Sequence, residues 1–180
     1  YDPEEGNPGK FHGISSFGPE TGEASNSSGC KSWTADFGDK LVSMAEQDKR
    51  VVGITAAMCD GTGLKKFEEQ FPERFFDVGI AEQHAVTLAA GLAMSGIRTY
   101  VAVYSTLLQR AFDQLVHDVA LPNLPVRICV DRAGLVGQDG ATHHGAFDIS
   151  YLRIIPNMAI FLPRDIIELE EMMDLSLDWD

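Results

Sequence analysis

Apolar positions along this chain follow two rhythms in turn. From residue 32, Trp33, Phe37, Leu41 and Met44 recur at three- and four-residue spacing, the stripe of an amphipathic helix. A β-branched run at 51–55 then predicts a strand, 64–70 a helix, 75–78 a strand and 81–94 a helix. Residues 99–104 read as a strand and 106–120 as a helix with Leu108, Ala111, Phe112, Leu115 and Val119 on one face. The nearly unbroken apolar run 126–131 has the composition of a strand covered on both faces. A Gly-rich loop comes next at 133–145, then a predicted strand at 158–162 and a helix at 165–175.

Continuous apolar strands alternating with helices predict a doubly wound α/β fold, with a mainly parallel sheet and helices on both faces. In such sheets ligands bind beyond the carboxyl ends of the strands. Residues 1–31 are poor in aliphatics and rich in Gly, Pro and Ser, so they read as a linker or N-terminal extension. The domain proper is expected over 32–180. There are no internal repeats.

Composition narrows the partners. Hydrophobic residues are 44% and charged residues 23%, ordinary for a globular domain. The net charge of −13 argues against nucleic acid or anionic membranes as partners, since both require gathered Lys and Arg. No apolar run approaches the roughly 20 residues of a membrane span, and no secretory leader is evident. Cys30, Cys59 and Cys129 form no CxxC, which suggests a reducing cytoplasm and neither a disulfide framework nor a structural metal site. The chain begins at Tyr1 and not at Met, the expectation for a fragment or a processed chain.

Two stretches carry candidate chemistry. In 76–91, a strand runs through Gly79 into a helix whose first turn holds Glu82, Gln83 and His84, and whose remainder is small and apolar. Taken alone, Glu82 would complement the helix dipole, worth about 0.3–1 kcal/mol. In 132–145, Arg132, Asp139, His143 and His144 are spread among four glycines. Alone, that is a solvated loop or a weak metal site. Arg110, Asp113 and His117 have helical spacings that suit an exposed, ion-paired face.

The longer strings decide more. Residues 77–91, the run Tyr104-Ser-Thr-Leu-Leu-Gln-Arg-Ala-Phe-Asp-Gln114, and Asp131-Arg-Ala-Gly-Leu-Val-Gly-Gln-Asp-Gly-Ala-Thr-His-His-Gly-Ala-Phe-Asp148 resemble the thiamine-diphosphate enzymes of the transketolase superfamily. Within it, the chain is most similar to the 1-deoxy-D-xylulose-5-phosphate synthase family. The continuation through Ser150-Tyr-Leu-Arg153 and Ile155-Pro-Asn157, and the opening Tyr1-x-Pro-x-Glu-x-x-Pro-x-x-Phe-His-Gly13, extend the likeness over nearly the whole chain.

That resemblance implies a transferase condensing pyruvate with glyceraldehyde 3-phosphate, with loss of CO2, on the way to isoprenoid and thiamine precursors. It implies thiamine diphosphate as cofactor, with Glu82 as the carboxyl that faces the pyrimidine nitrogen N1′ and favours the tautomer that activates the thiazolium. Tyr1, Met58, Leu107 and Arg110 would lie about the cofactor. Arg132 would hold the substrate phosphate, Tyr104 and Asp139 the sugar hydroxyls, and His143 would move a proton at the developing hydroxyl. His12 is expected near the donor substrate. His84 and His144 are expected to be structural.

Departures qualify the expectation. Leu107 stands where these synthases usually carry phenylalanine, which removes ring stacking worth about 0.5–1.5 kcal/mol. Cys59 occupies a position that commonly holds proline or arginine, and Glu4 replaces a usual alanine. The Gly-Asp-Gly motif through which this superfamily binds Mg2+ and diphosphate is matched only by Cys59-Asp-Gly61 and Gln138-Asp-Gly140, both lacking the first glycine. The chain is therefore expected to supply the pyrimidine-binding half of a site. Mg2+ would be held by another domain or subunit, this chain alone would be inactive, and a homodimer is the family's usual state. Rival readings are a subunit of a split transketolase-like enzyme, a 2-oxoacid dehydrogenase β-subunit, and a non-catalytic binding or oligomerisation module. The loop 132–145 favours the synthase.

Overall fold

In a computed structural model, the structure describes Glu20, residues 31–137 and residues 140–179. The unit Ser32–Asp180 is built on one sheet of four parallel strands. These are β1 (Val51–Thr55), β2 (Phe75–Asp77), β3 (Arg98–Tyr104) and β4 (Arg127–Asp131), in the order β2-β1-β3-β4. The helices are α1 (Trp33–Gln47), α2 (Lys65–Gln70), α3 (Glu82–Ala93), α4 (Ser105–Leu108), α5 (Phe112–Gln114), α6 (Asp148–Leu152) and α7 (Ile166–Leu177).

The period-2 alternation of strand side chains sorts the core into two layers. Val52, Ile54, Val101 and Val103 face one cluster with Ala85, Val86, Ala89 and Ala90 of α3 and Leu108, Ala111, Leu115 and Val119 beyond β3. Val51, Tyr100 and Ala102 face the other, with Leu41, Met44 and Ala45 of α1, Phe67 of α2 and Met173 of α7. Both faces are covered, which is the doubly wound α/β architecture expected from the sequence.

Local chemistry sets the element ends. The Ser32 hydroxyl accepts from Ala35 N at the start of α1. At α7, Asp165 accepts from Glu168 N (2.9 Å) while the Glu168 carboxylate reaches back to Arg164 N (2.7 Å), a reciprocal cap. The carbonyls at the other end of α7 are satisfied by Arg127, whose guanidinium donates to Ser176 O and Trp179 O, both at 2.8 Å.

Four sequence expectations change. Residues 158–162 form no strand. Met158 and Ile160 do pack on the core at alternate positions, so the strand-like pattern is real. Pro156 and Pro163 flank it and remove donors at both ends, and no ladder to β4 forms. Consequently β4, expected to be fully covered, is an edge strand with all five residues half-buried. The helix predicted over 106–120 is broken: α4 passes through a 3-10 turn (Gln109–Ala111) into α5 and then a π turn (Leu115–Ala120), leaving Phe112 exposed. At α1, Trp33 lies in the first turn and is half-exposed, outside the stripe that Phe37, Leu41 and Met44 continue.

Candidate functional site

The chain leaves β1 outward to β2 and returns to β3 on the other side, so the carboxyl ends of β1 and β3 flank a topological switch point. The described candidate residues fall into two groups.

The first group surrounds the start of α3. Glu82 is 1% exposed, a buried carboxylate in the first turn, where the N-terminal end of the helix dipole favours negative charge. Arg110 Nη1 donates to its Oε1 at 2.8 Å. Among the described residues Oε2 takes no hydrogen bond. Arg110 thus pairs with Glu82 and not with Asp113, which instead meets His117 Nδ1 at 2.9 Å on an exposed face. The 3-10 turn that breaks the helix is what carries Arg110. Met58, 8% exposed, lies in the same apolar cluster as the first turns of α3, and Leu107 packs against it. Gln83 and His84 are exposed.

The second group lies past β3 and β4. The Arg132 guanidinium sits over the Tyr104 ring, 4.3 Å from its centroid, and His143 meets the same ring edge-on at 6.0 Å. Arg132 Nη1 also donates to Gly61 O (2.6 Å) and Asp131 Oδ1 (3.1 Å), and Asp131 is fixed in turn by Thr34 Oγ1 (2.8 Å). Gly61 is needed here: a Cβ on it would lie 1.7 Å from Tyr104 Oη. Arg132 itself holds a left-handed backbone (φ 56), a costly conformation for a residue other than glycine that its surroundings must enforce. His144 accepts from Val136 N at 3.1 Å across the loop, a structural contact. Tyr1, His12 and Asp139 lie outside the described residues.

Sequence reasoning missed two anchors. Asp77, closing β2, accepts from Ala57 N (2.7 Å) and Gly79 N (2.9 Å) and so ties the loop after β1 to the turn before Glu82. Ser105 and Asp148 form a buried pair at 2.6 Å. The signal for each lies inside the long strings that carry the family resemblance, at positions whose residue type alone suggests no role. The thiols are quiet. Burial pushes Cys59 and Cys129 up to about 12, with Glu68 beside Cys59 adding to the effect.

The family model described as "Transketolase, pyrimidine binding domain" matches residues 31–180. The chain belongs to this family. It is 60% identical over 173 residues to a 1-deoxy-D-xylulose-5-phosphate synthase of Methylobacillus flagellatus, covering 96% of this chain and 28% of that protein. The chain therefore spans a little over a quarter of the length of such relatives. Among solved structures it resembles a chain titled "Split gene transketolase, inactive beta4 tetramer" (29% identity, TM-score 0.71, 81% of this chain and 47% of that one). A transketolase from Campylobacter jejuni shares the fold (21% identity, TM-score 0.74, 81% and 24%). The pyrimidine-binding family implies thiamine diphosphate, and the residues around Glu82 fit it. They offer a buried carboxylate with one oxygen uncommitted, at the start of the helix whose Ala85 and Val86 join Met58 and Leu107 in one apolar cluster, which suits a flat ring carrying a basic nitrogen. Among the described residues no helix is long and apolar enough to cross a membrane, and no cluster of metal-ligating side chains occurs.

Proposed function

We propose that this chain is the pyrimidine-binding part of a thiamine-diphosphate-dependent 1-deoxy-D-xylulose-5-phosphate synthase. The whole enzyme would condense pyruvate with glyceraldehyde 3-phosphate, release CO2, and serve isoprenoid and thiamine precursor synthesis. The observation that carries the reading is Glu82: a carboxylate buried at a helix start, oriented through one oxygen by Arg110, with the other left for a ligand.

Thiamine diphosphate supplies, when bound, the electron sink that decarboxylation of a 2-oxo acid requires. The chain's own residues do the rest. Glu82 holds a proton at the pyrimidine N1′ in a site of low dielectric, where such a bond is strong. Arg110 keeps the carboxylate aimed. Met58 and Leu107 give the ring an apolar seat. Arg132 presents a planar guanidinium to the phosphate of the acceptor, and the Tyr104 face beneath it restricts its swing. Tyr104 and Asp139 take the sugar hydroxyls, and His143, edge-on to Tyr104, transfers the proton at the new hydroxyl. Tyr1 against the cofactor and His12 near the donor complete the assignment. Mg2+ and the diphosphate belong to another domain or subunit, the assembly is a homodimer, and the compartment is the cytoplasm, in keeping with the free thiols of Cys59 and Cys129.

The test is CO2 release from pyruvate, measured with and without glyceraldehyde 3-phosphate, in the assembled enzyme. Glu82→Ala and Glu82→Gln should each nearly abolish turnover while circular dichroism and melting remain those of a folded protein. Turnover near the wild-type rate in either variant would refute the assignment.

A further inference from the structure

Tyr104 and Ser105 are neighbours at the end of β3, yet they serve opposite sides of it. Tyr104 lies under Arg132, whereas Ser105 is wholly buried. Its hydroxyl donates to Asp148 Oδ2 at 2.6 Å, and Asp148, 8% exposed at the start of α6, also receives Tyr151 Oη at 3.4 Å. Burial and the adjacent Asp148 push the Tyr151 hydroxyl upward, so it remains a donor. A buried carboxylate held by two hydroxyls is costly unless its geometry is kept.

What crosses this pair is the base of the loop. Gly134 and Gly145 exchange backbone hydrogen bonds, Gly134 N to Gly145 O at 2.9 Å and Gly145 N to Gly134 O at 2.8 Å. A Cβ on Gly145 would lie 2.3 Å from Ser105 Oγ and 2.6 Å from Arg132 O. The closed base of the loop therefore meets Ser105 at Gly145, which also lies against the Arg132 carbonyl, and Asp148 comes three residues after Gly145. Arg132 is held at positive φ at this closure.

We propose that Ser105 and Asp148 are positioning residues: their buried hydrogen bond clamps the base of loop 132–145 and so sets Arg132 and His143 against Tyr104 for a phosphorylated acceptor. This rests on the synthase reading for the acceptor's identity, but the clamp itself can be measured without it. Neither residue touches substrate. Both act through the backbone of Arg132 and Gly145.

Ser105→Ala, Asp148→Ala, Asp148→Asn and the double Ser105→Ala/Asp148→Ala variant should be compared in the assembled enzyme. Each alanine variant should raise the KM for glyceraldehyde 3-phosphate by about tenfold or more, raise that for unphosphorylated glyceraldehyde by less, because only the Arg132 contact is lost on the phosphate, and move the KM for pyruvate by less than about twofold. Asp148→Asn keeps an acceptor for Ser105 and should recover most of the loss. The double variant should be no worse than the single ones, because the two residues act as a unit. Hydrogen exchange over 133–145 should rise in the alanine variants and not in Asp148→Asn. Equal shifts for all three substrates, a fall in kcat without the KM change, additive losses, or unchanged exchange in the loop would each overturn the clamp. If an alanine variant fails to fold, Asp148→Asn decides against the wild type: a KM for glyceraldehyde 3-phosphate raised about tenfold, or raised exchange over the loop, in that variant refutes the proposal. If the wild type does not join pyruvate to glyceraldehyde 3-phosphate, the synthase reading fails and the exchange measurement still judges the clamp.

Discussion

Removing Arg110 tests the electrostatic core of the site. Its Nη1 lies 2.8 Å from Glu82 Oε1, with the Glu82 side chain 2% exposed and the Arg110 side chain 48% exposed. Two unit charges about 4 Å apart at an effective dielectric of ~20 attract by about 4 kcal/mol. Breaking a fully buried pair by deleting one partner costs about 3–5 kcal/mol, because the survivor is stranded. Here the guanidinium is half in water, so both its desolvation and its attraction are reduced, and the expected cost of Arg110→Ala is about 1–3 kcal/mol. At this chain length that lowers Tm by about 2–4 °C for each kcal/mol. The assay is chemical and thermal unfolding of the wild type, Arg110→Ala, Glu82→Gln and the double variant. The penalty for losing Arg110 should fall below about 0.5 kcal/mol once Glu82 is neutral, since the stranded charge is then gone. Additive losses would refute the reasoning, because they would mean that Arg110 stabilises the fold through its stem and not through the carboxylate.

The remaining predictions concern other parts of the chain. Gly61→Ala would place a methyl 1.7 Å from Tyr104 Oη, so the ring must move, with a cost of about 1–3 kcal/mol. A higher KM for the phosphorylated acceptor is expected, and unchanged stability and KM would contradict the packing. The hydrogen bond from Arg50 holds the Asp48 carboxyl down at about 2. A depressed carboxyl contributes stability above its unfolded value near 4 that is lost as pH falls towards 2. Asp48→Asn should therefore cost about 1 kcal/mol at pH 6 and almost nothing at pH 2, read from urea midpoints. Cys59 and Cys129, both raised to about 12, should resist iodoacetamide at pH 8 in the folded chain and react on unfolding, as peptide mass spectrometry would show.

Much of the fold was legible in the sequence, for identifiable reasons. Strands β1 and β3 are β-branched and apolar because both of their faces are covered, and that composition survives without tertiary information. The same signal misled at 158–162, where Met158 and Ile160 bury their side chains like a strand but flanking prolines leave the backbone without a ladder. A side-chain pattern reports burial, whereas a strand also needs paired backbone. Glu82 was visible because its surrounding string is long. Its partner was less so: the spacing of Arg110 and Asp113 suits a helix-face pair, and only the 3-10 turn at 109–111 redirects Arg110. Ser105 and Asp148 were the hardest to see. A serine after a strand and an aspartate at a helix start both have ordinary local explanations, and their separation of 43 positions hides the contact until the sheet is built. The residues proposed to touch a ligand were thus marked by the long strings around them, while those that hold them in place had to be found by distance. The same logic makes the clamp the sharper test of the site. Substituting Arg132 would show only that a cation is needed, whereas loosening Ser105 or Asp148 leaves that cation present and asks whether its position matters.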